Sequence, residues 1–259
     1  MIGISSVGFF ASSGGGSAYD SDAQAFFTAN STLTDTAQKN AINQFVLDLK
    51  SNSLWTKVKE LHLYFLGDAT RNSYNLKNPS IFQRTFSSGW TFSTSGALPD
   101  GVSAYSYSGL NVSSVFSANS IAFGVYYNTL KTGAFTSNGI FIAGYNCIYS
   151  ASNTNYLYWN GAEIAESISD SANNGFQQIS RENTTQVFRK IKSNSTTTYT
   201  NSYTSIPNAE FYIGKSNGFN TYESRRMTLS YMSDGLSTTD LDNFNTITNS
   251  LMTTLGINV

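Results

Sequence analysis

The chain has 259 residues, 40% of them hydrophobic and 14% aromatic, which is globular material able to bury a core without disulfide staples. Only 12% of residues are charged, about half the usual share, and Ser, Thr and Asn take their place. The formal net charge of −1 speaks against nucleic acid as a partner, because the densest basic run is only Arg189, Lys190 and Lys192 on one expected strand.

Residues 1–18 end in Ala-Ser-Ser-Gly-Gly-Gly-Ser-Ala and read as an extended arm that lies against a neighbouring subunit or partner. The start lacks a basic n-region, so no signal peptide is expected, and no stretch reaches the length of a membrane-spanning helix. Residues 19–60 read as helical. Ser21-Asp-Ala-Gln24 resembles a capping box, and Asp35-Thr-Ala-Gln38 repeats it ahead of Ala41, Ile42, Phe45, Val46 and Leu49 at helical spacing. Trp55 and Val58 continue that apolar face, and Leu61–Leu66 reads as a strand.

Residues 61–236 are punctuated as β structure. Leu98-Pro-Asp-Gly101 is a turn, since Pro presets φ and Gly accepts a positive one. Strands are expected at Ile121–Tyr127, Gly139–Tyr145 and Tyr156–Trp159, the last turning at Asn160-Gly161 into Ala162–Ile164. Gln186–Lys192 and Thr196–Thr200 form a second hairpin. Phe211–Ile213 and Arg226–Met232 follow, with Met227, Leu229 and Tyr231 alternating inward. Residues 237–259 close with a helix capped by Ser237 and Asp240, striped by Leu241, Phe244, Ile247, Leu251 and Leu255, and stopped by Gly256. It is expected to cover an edge or an open end of the sandwich.

Few residues offer chemistry. His62 is the only histidine and Cys147 the only cysteine, so neither a zinc site nor an intrachain disulfide is expected, and no Gly-x-Ser-x-Gly elbow is present. Cys147 sits in an apolar strand-like setting as a small buried hydrophobe. Glu163 and Glu166 are three apart and Asp170 four further on, and odd spacing on a strand does not put an acid/base pair on one face. Asp240 and Asp242 fit the dipole at a helix start. The Gly14-Gly15-Gly16 run lacks a following Gly-Lys-Ser/Thr, and Asp234-Gly235 lacks a calcium-loop ladder. No catalytic residue, metal or cofactor is expected, and the chain is read as non-enzymatic, with a glycosidase whose carboxylate pair is brought together by folding as the lesser alternative. Tyrosines concentrate in the strand region, among them Tyr105, Tyr107, Tyr127 and Tyr156. Outward rings beside Asn and Ser stack on sugars, and Tyr126, Tyr145, Tyr158 and Trp159 are the candidate glycan-binding residues. The alternative is that these rings are core or subunit interface.

Asp20-Ser-Asp-Ala-Gln-Ala-Phe26, Gln38-Lys-Asn-Ala-Ile-Asn43, Trp55-Thr-Lys-Val-Lys59, Asn75-Leu-Lys-Asn-Pro79 and Gly96-Ala-Leu-Pro-Asp-Gly101 resemble the N-terminal part of a family of tailed-bacteriophage virion structural proteins. The resemblance resumes at Phe211-Tyr-Ile-Gly214, Ser233-Asp-Gly-Leu236 and Thr253-Thr-Leu-Gly256, with a looser middle from about 105 to 205. It departs at Leu63-Tyr-Phe-Leu-Gly-Asp68, where family members often read Tyr-Pro-Phe-Val-Gly-Gly. The resemblance implies a mainly β fold, a concanavalin/laminin-G-like jelly-roll antiparallel β-sandwich with N-terminal helices and a C-terminal helix. It also implies a fibre, appendage or capsid-decoration protein, made in the host cytoplasm and located on the virion. Residues 1–18 would dock on other virion proteins, the chain would form homo-oligomers, and a host surface glycan would be a candidate ligand. No catalytic residues come with the family.

Overall fold

The computed structural model describes residues 19–130, 140–142, 147–151, 154–159, 162–167, 174–200, 206, 208–216 and 221–259. The expected arm at 1–18, Tyr145, Asn160-Gly161 and Asp170 lie outside them.

Helix α1 (Ser21–Ala29) is capped by Asp20, whose carboxylate accepts from the Asp22 N–H. The cap is therefore one residue ahead of the expected Ser21, and it sets a negative charge against the positive end of the helix dipole. Helix α2 (Thr36–Ser51) is capped by Asp35 and buries Ala41, Ile42, Phe45, Val46 and Leu49, the stripe visible in the sequence. It stops at Ser51, and Ser53 takes a left-handed φ of 58° that reverses the chain. Trp55 and Val58 thus leave the helical face, and Val58 opens strand β1 (Val58–Leu63).

After a short helix α3 (Ala69–Ser73) come β2 (Thr85–Phe86), β3 (Trp90–Ser93), β4 (Gly96–Pro99), β5 (Ser106–Asn111) and a helical turn α4 (Val112–Val115). Then follow β6 (Ile121–Tyr127), β7 (Ile140–Ile142), β8 (Cys147–Ala151), β9 (Thr154–Trp159), β10 (Ala162–Ser167), β11 (Gly175–Arg181), β12 (Gln186–Ile191) and β13 (Thr197–Thr200). The last strands are β14 (Glu210–Ile213), β15 (Lys215–Ser216), β16 (Thr221–Tyr222) and β17 (Met227–Ser233), before helix α5 (Thr238–Thr254). Both expected hairpins form, with Trp159 opposite Ala162 and Gln186 opposite Thr200.

An eight-stranded antiparallel sheet runs β13-β12-β11-β6-β17-β4-β3, with β1 also paired to β17. A four-stranded sheet, β2-β5-β14-β7, packs over one of its faces, and helices α1, α2 and α5 cover the other. The molecule is thus a mainly β, antiparallel sandwich with helices at both ends of the chain and a helical layer on one side. Because both faces of the large sheet are covered, β6, β11 and β17 are buried along their whole length. Alternate residues divide between two cores: in β6, Ala122 and Tyr126 face the helices, while Ile121, Phe123, Val125 and Tyr127 face the second sheet. The same alternation was expected to put Met227, Leu229 and Tyr231 on one side. A register irregularity between Met227 and Leu229 sends Met227 to the inter-sheet core and the other two to the helical one.

Helix α5 carries the expected capping box, with Ser237 and Asp240 exchanging side-chain and backbone bonds, and Gly256 ends it at φ 68°. It lies across the face of the sheet, beside α2, instead of closing an edge or end. Its Phe244 is enclosed by Tyr231 at 4.3 Å and by Phe176, edge-on, at 5.6 Å between ring centroids. Gly124 makes room for that stack, because a Cβ there would meet the Tyr231 ring at 2.6 Å. Two polar side chains at this buried junction are paired: the Tyr231 hydroxyl donates to Gln178 Oε1 (3.0 Å), and Gln178 Nε2 donates to the Leu241 carbonyl (3.1 Å). Phe244→Ala is expected to lower unfolding free energy by about 3–5 kcal/mol in a denaturant titration, since the Tyr231 and Phe176 rings lose their shared filler.

Candidate functional site

Two groupings of polar and aromatic side chains stand out, one sealed and one open. The sealed one lies between the sheets. Alternation along β1 turns Leu61 and Leu63 to the helical core and Glu60, His62 and Tyr64 to the other side. There the Glu60 carboxylate pairs with Arg84 and accepts from the Ser108 hydroxyl at 2.8 Å. His62 Nε2 sits 3.1 Å from Glu60, off the line of a hydrogen bond, and its ring stacks on Tyr64 with an interplanar angle of 10°. Tyr64 meets Ser230 at 2.6 Å, and burial pushes its hydroxyl up to about 12. Every member is buried, so the cluster reads as structural glue between the layers and not as a cleft.

Burial disfavours the His62 imidazolium. Glu60 opposes that effect and Arg84 adds to it, and the balance holds the ring below its ordinary 6.5. The unfolded chain then takes up this proton more readily than the folded one, so stability is complete above about 6.5 and is lost as the pH falls below it. Glu60, likewise held low against its own burial by Arg84 and His62, adds its loss only at lower pH. As His62 is the chain's only histidine, melting temperature is expected to fall between pH 7 and 5.5 in the wild type and to fall less in His62→Asn. Equal slopes in the two proteins would refute this assignment.

The open grouping is on the outer face of the second sheet. In β5 the even positions Ser106, Ser108 and Leu110 are buried, which leaves Tyr107 turned outward; in β14 Phe211 and Ile213 are buried, which leaves Tyr212 outward. Tyr107 and Tyr212 are cross-strand partners with ring centroids 5.8 Å apart. Tyr105, just before β5, stacks on Tyr107 at 6.4 Å and 24° and lies 6.1 Å from Tyr212. Its backbone is held by Trp90, whose indole Nε1 donates to the Tyr105 carbonyl at 3.1 Å. All three rings are half-buried.

Charges and amides frame these rings. Lys215 Nζ stands 4.9 Å from the Tyr105 centroid and 6.0 Å from that of Tyr212. Gly214, at φ 83°, turns the chain to deliver it; a Cβ there would strike the Ala104 carbonyl at 2.8 Å and Trp90 at 2.9 Å. At the far side the Tyr212 hydroxyl donates to Glu210 Oε2 at 3.1 Å, and partial burial and that carboxylate both raise its pKa. Beyond lie Asn111 and Asn208, joined at 2.7 Å, with Ser113 beside them. The result is a strip of three flat rings with a cation at one end and carboxylate, amides and hydroxyl at the other.

The residues singled out from the sequence are not these. Tyr126 is buried against the helical layer, its hydroxyl bound to Asn258 and to the Val259 N–H at 3.2 Å, so it presents no outward ring. The parity of β6 explains the correction: a sheet covered on both sides has no outward position. Tyr127 is buried too, with Arg225 3.5 Å over its ring. Tyr145 lies outside the described residues, and Tyr158 and Trp159 are consecutive on β9, opposite Cys147 and Ala162 in the backbone register. Glu163 and Glu166 both fall on β10 at their odd spacing. Tyr105 and Tyr107 belonged to the tyrosine set noted in the sequence. Tyr212 was legible from its buried neighbours Phe211 and Ile213, whereas nothing local announced Lys215.

A surface pocket between α2 and α5, of about 200 Å³, is lined by Ala37, Asn40, Gln44, Asp48 and Ser250 among others. Asp48 there is already bonded by Gln44 at 2.8 Å, and no cation or histidine lines it. Among the described residues no group of three or more His, Cys, Asp or Glu is placed to hold a metal ion, and no helix is long and apolar enough to cross a membrane.

No protein-family model matches the chain, and no curated protein matches it in sequence. Solved structures do share its fold. Domain 4 of AbnA, a GH43 extracellular arabinanase from Geobacillus stearothermophilus, solved in complex with arabinotriose, is 13% identical over 73% of this chain and 98% of that one, with a TM-score of 0.46. A chain described as HCR/D-Sa-GBL1/C is 13% identical over 74% of this chain and 52% of its own, at 0.50. Trypanosoma rangeli sialidase, in complex with 2,3-difluorosialic acid, is 11% identical over 82% of this chain and 39% of its own, at 0.49. The chain therefore spans about half or less of the latter two. The expectation of a non-enzymatic chain is corrected: an arabinanase domain and a sialidase are among the solved structures to which it is similar. A likeness of fold assigns no catalytic residue here.

Proposed function

We propose that this chain binds carbohydrate on the outer face of its four-stranded sheet, through Tyr105, Tyr107 and Tyr212. The observation that carries the proposal is the half-exposed cluster of Tyr105 and Tyr107, with ring planes 24° apart, and Tyr212 tilted beside them, edged by Lys215, Glu210, Asn111 and Asn208. Pyranose rings offer apolar C–H faces and hydroxyl edges. Tyrosine faces take the first, and amides, carboxylate and ammonium take the second. From Tyr105 to Asn111 the strip extends about 20 Å at strand rise, room for several sugar units in a row. The rings are held by cross-strand packing and by Trp90, so little ordering entropy is lost on binding.

On a glycan array the purified chain is expected to bind at least one saccharide class. Tyr107→Ala should weaken the best-bound saccharide about tenfold or more, near 1.4 kcal/mol. Tyr126→Phe, which removes only a hydroxyl on the helical side, should leave affinity unchanged. An array without signal, or a Tyr107→Ala variant that binds as well as wild type, would sink the proposal.

The particle on which such a domain sits is a separate part of the reading. We propose a tailed-phage virion, and this rests on the resemblance of the segments around Asp20–Phe26, Gly96–Gly101, Phe211–Gly214 and Ser233–Leu236. None of the solved structures named above is a phage protein. Mass spectrometry of purified particles is expected to find the chain as a stoichiometric component, and its absence would remove the virion role while leaving the carbohydrate site untouched.

A further inference from the structure

We infer that the saccharide taken by the tyrosine strip is acidic, with a carboxylated sugar stacked on Tyr105 and its carboxylate seated on the Lys215 ammonium. This deepens the carbohydrate reading and depends on it. Lys215 is half-buried, and its Nζ is drawn over two rings, 4.9 Å from Tyr105 and 6.0 Å from Tyr212. The other described lysines whose Nζ lies close to a carboxylate include Lys50 on Asp20 and Asp22, Lys57 on Asp240, Lys59 on Asp234 and Lys190 on Asp242. Lys215 has no carboxylate partner among the described residues, although Glu210 stands on the same strip. Glu210 is instead engaged by the Tyr212 hydroxyl at the opposite end.

The cation therefore stays available, and a half-buried ammonium held over aromatic faces lacks part of its hydration shell. An incoming carboxylate replaces that shell with a charge-assisted hydrogen bond, while the sugar ring behind it covers Tyr105. The geometry also gives the strip a direction. The acidic residue belongs at the Lys215 end, and neutral sugars belong toward Glu210, Asn111 and Asn208, where a second carboxylate would meet Glu210. A chain with acid groups spaced by neutral sugars fits better than one charged on every ring.

The test pairs each saccharide with its own neutral form. Oligosaccharides carrying a single glucuronate, galacturonate or sialate are compared by titration with carboxyl-reduced versions of the same molecules, using the full chain. Wild type is expected to favour at least one acid form about tenfold. Lys215→Gln should bring that ratio close to one while keeping affinity for the neutral form, and Tyr105→Ala should weaken both. The acid preference of wild type should also shrink with added salt, and that of Lys215→Gln should not respond. Equal binding of acid and neutral forms by wild type, or a ratio unchanged in Lys215→Gln, overturns the inference and leaves the carbohydrate reading standing. No binding of either form overturns both.

Discussion

Covering the large sheet on both faces is the constraint from which the rest of the architecture follows. A strand with two buried sides must offer apolar or paired side chains at every position, and β6, β11 and β17 do so without a break. The helical layer exists to cover one face: α2 and α5 lie side by side on it, and Phe244 fills the gap that Gly124 opens. The four-stranded sheet covers the other face and turns its own second side outward. That outward side is where Tyr105, Tyr107 and Tyr212 can be half-exposed and still rigid.

The same constraint sets what happens to buried polar groups. Gln178 and Ser180 on β11 are bonded by Tyr231, Leu241 and Leu236. Glu60 on β1 is answered by Arg84, from the segment that leads into the second sheet, and by Ser108 on its strand β5. An ion pair in such a place costs much of its own attraction in desolvation, so its worth is in fixing one alignment of the two sheets over another. The Tyr107–Tyr212 pairing sits on the opposite side of β5 and β14 from that ion pair. Inner registry thus underwrites the outer surface.

Legibility in the sequence follows the number of covered sides. The helices were readable because a helix buries one stripe: Ala41 to Leu49 and Leu241 to Leu251 are that stripe, and the caps at Asp35 and Ser237 are local chemistry. Strand β6 was readable as an apolar run, but the side to which each residue points was not. Tyr126 looked like an outward ring and is core, because nothing in seven consecutive buried residues marks a solvent face. Strand β11, Gly-Phe-Gln-Gln-Ile-Ser-Arg, was not legible, since its buried Gln178 is made tolerable only by partners far along the chain, Tyr231 and the Leu241 carbonyl. The tyrosine strip was half visible. Phe211 and Ile213 imply an outward Tyr212, yet bringing it beside Tyr107 is a pairing across about a hundred residues, and Lys215 depends on the backbone turn at Gly214.

Strand β17 pairs with β1, β6 and β4, joining Val58 to Ser233 and Ala122 to the same residue. The middle of the sheet is therefore supplied by residues 227–233, which leave the ribosome long after β1 and β6. Until residue 233 emerges, β6 and β1 each carry an open row of backbone donors and acceptors, and α2 has no α5 to lie against. Such a chain belongs to the slow-folding, high-contact-order class, and its nascent form offers sticky edges until residues 227–233 are made. The scarcity of charge gives those edges little electrostatic protection, so abundant synthesis of this protein would lean on the chaperones of the cell that makes it.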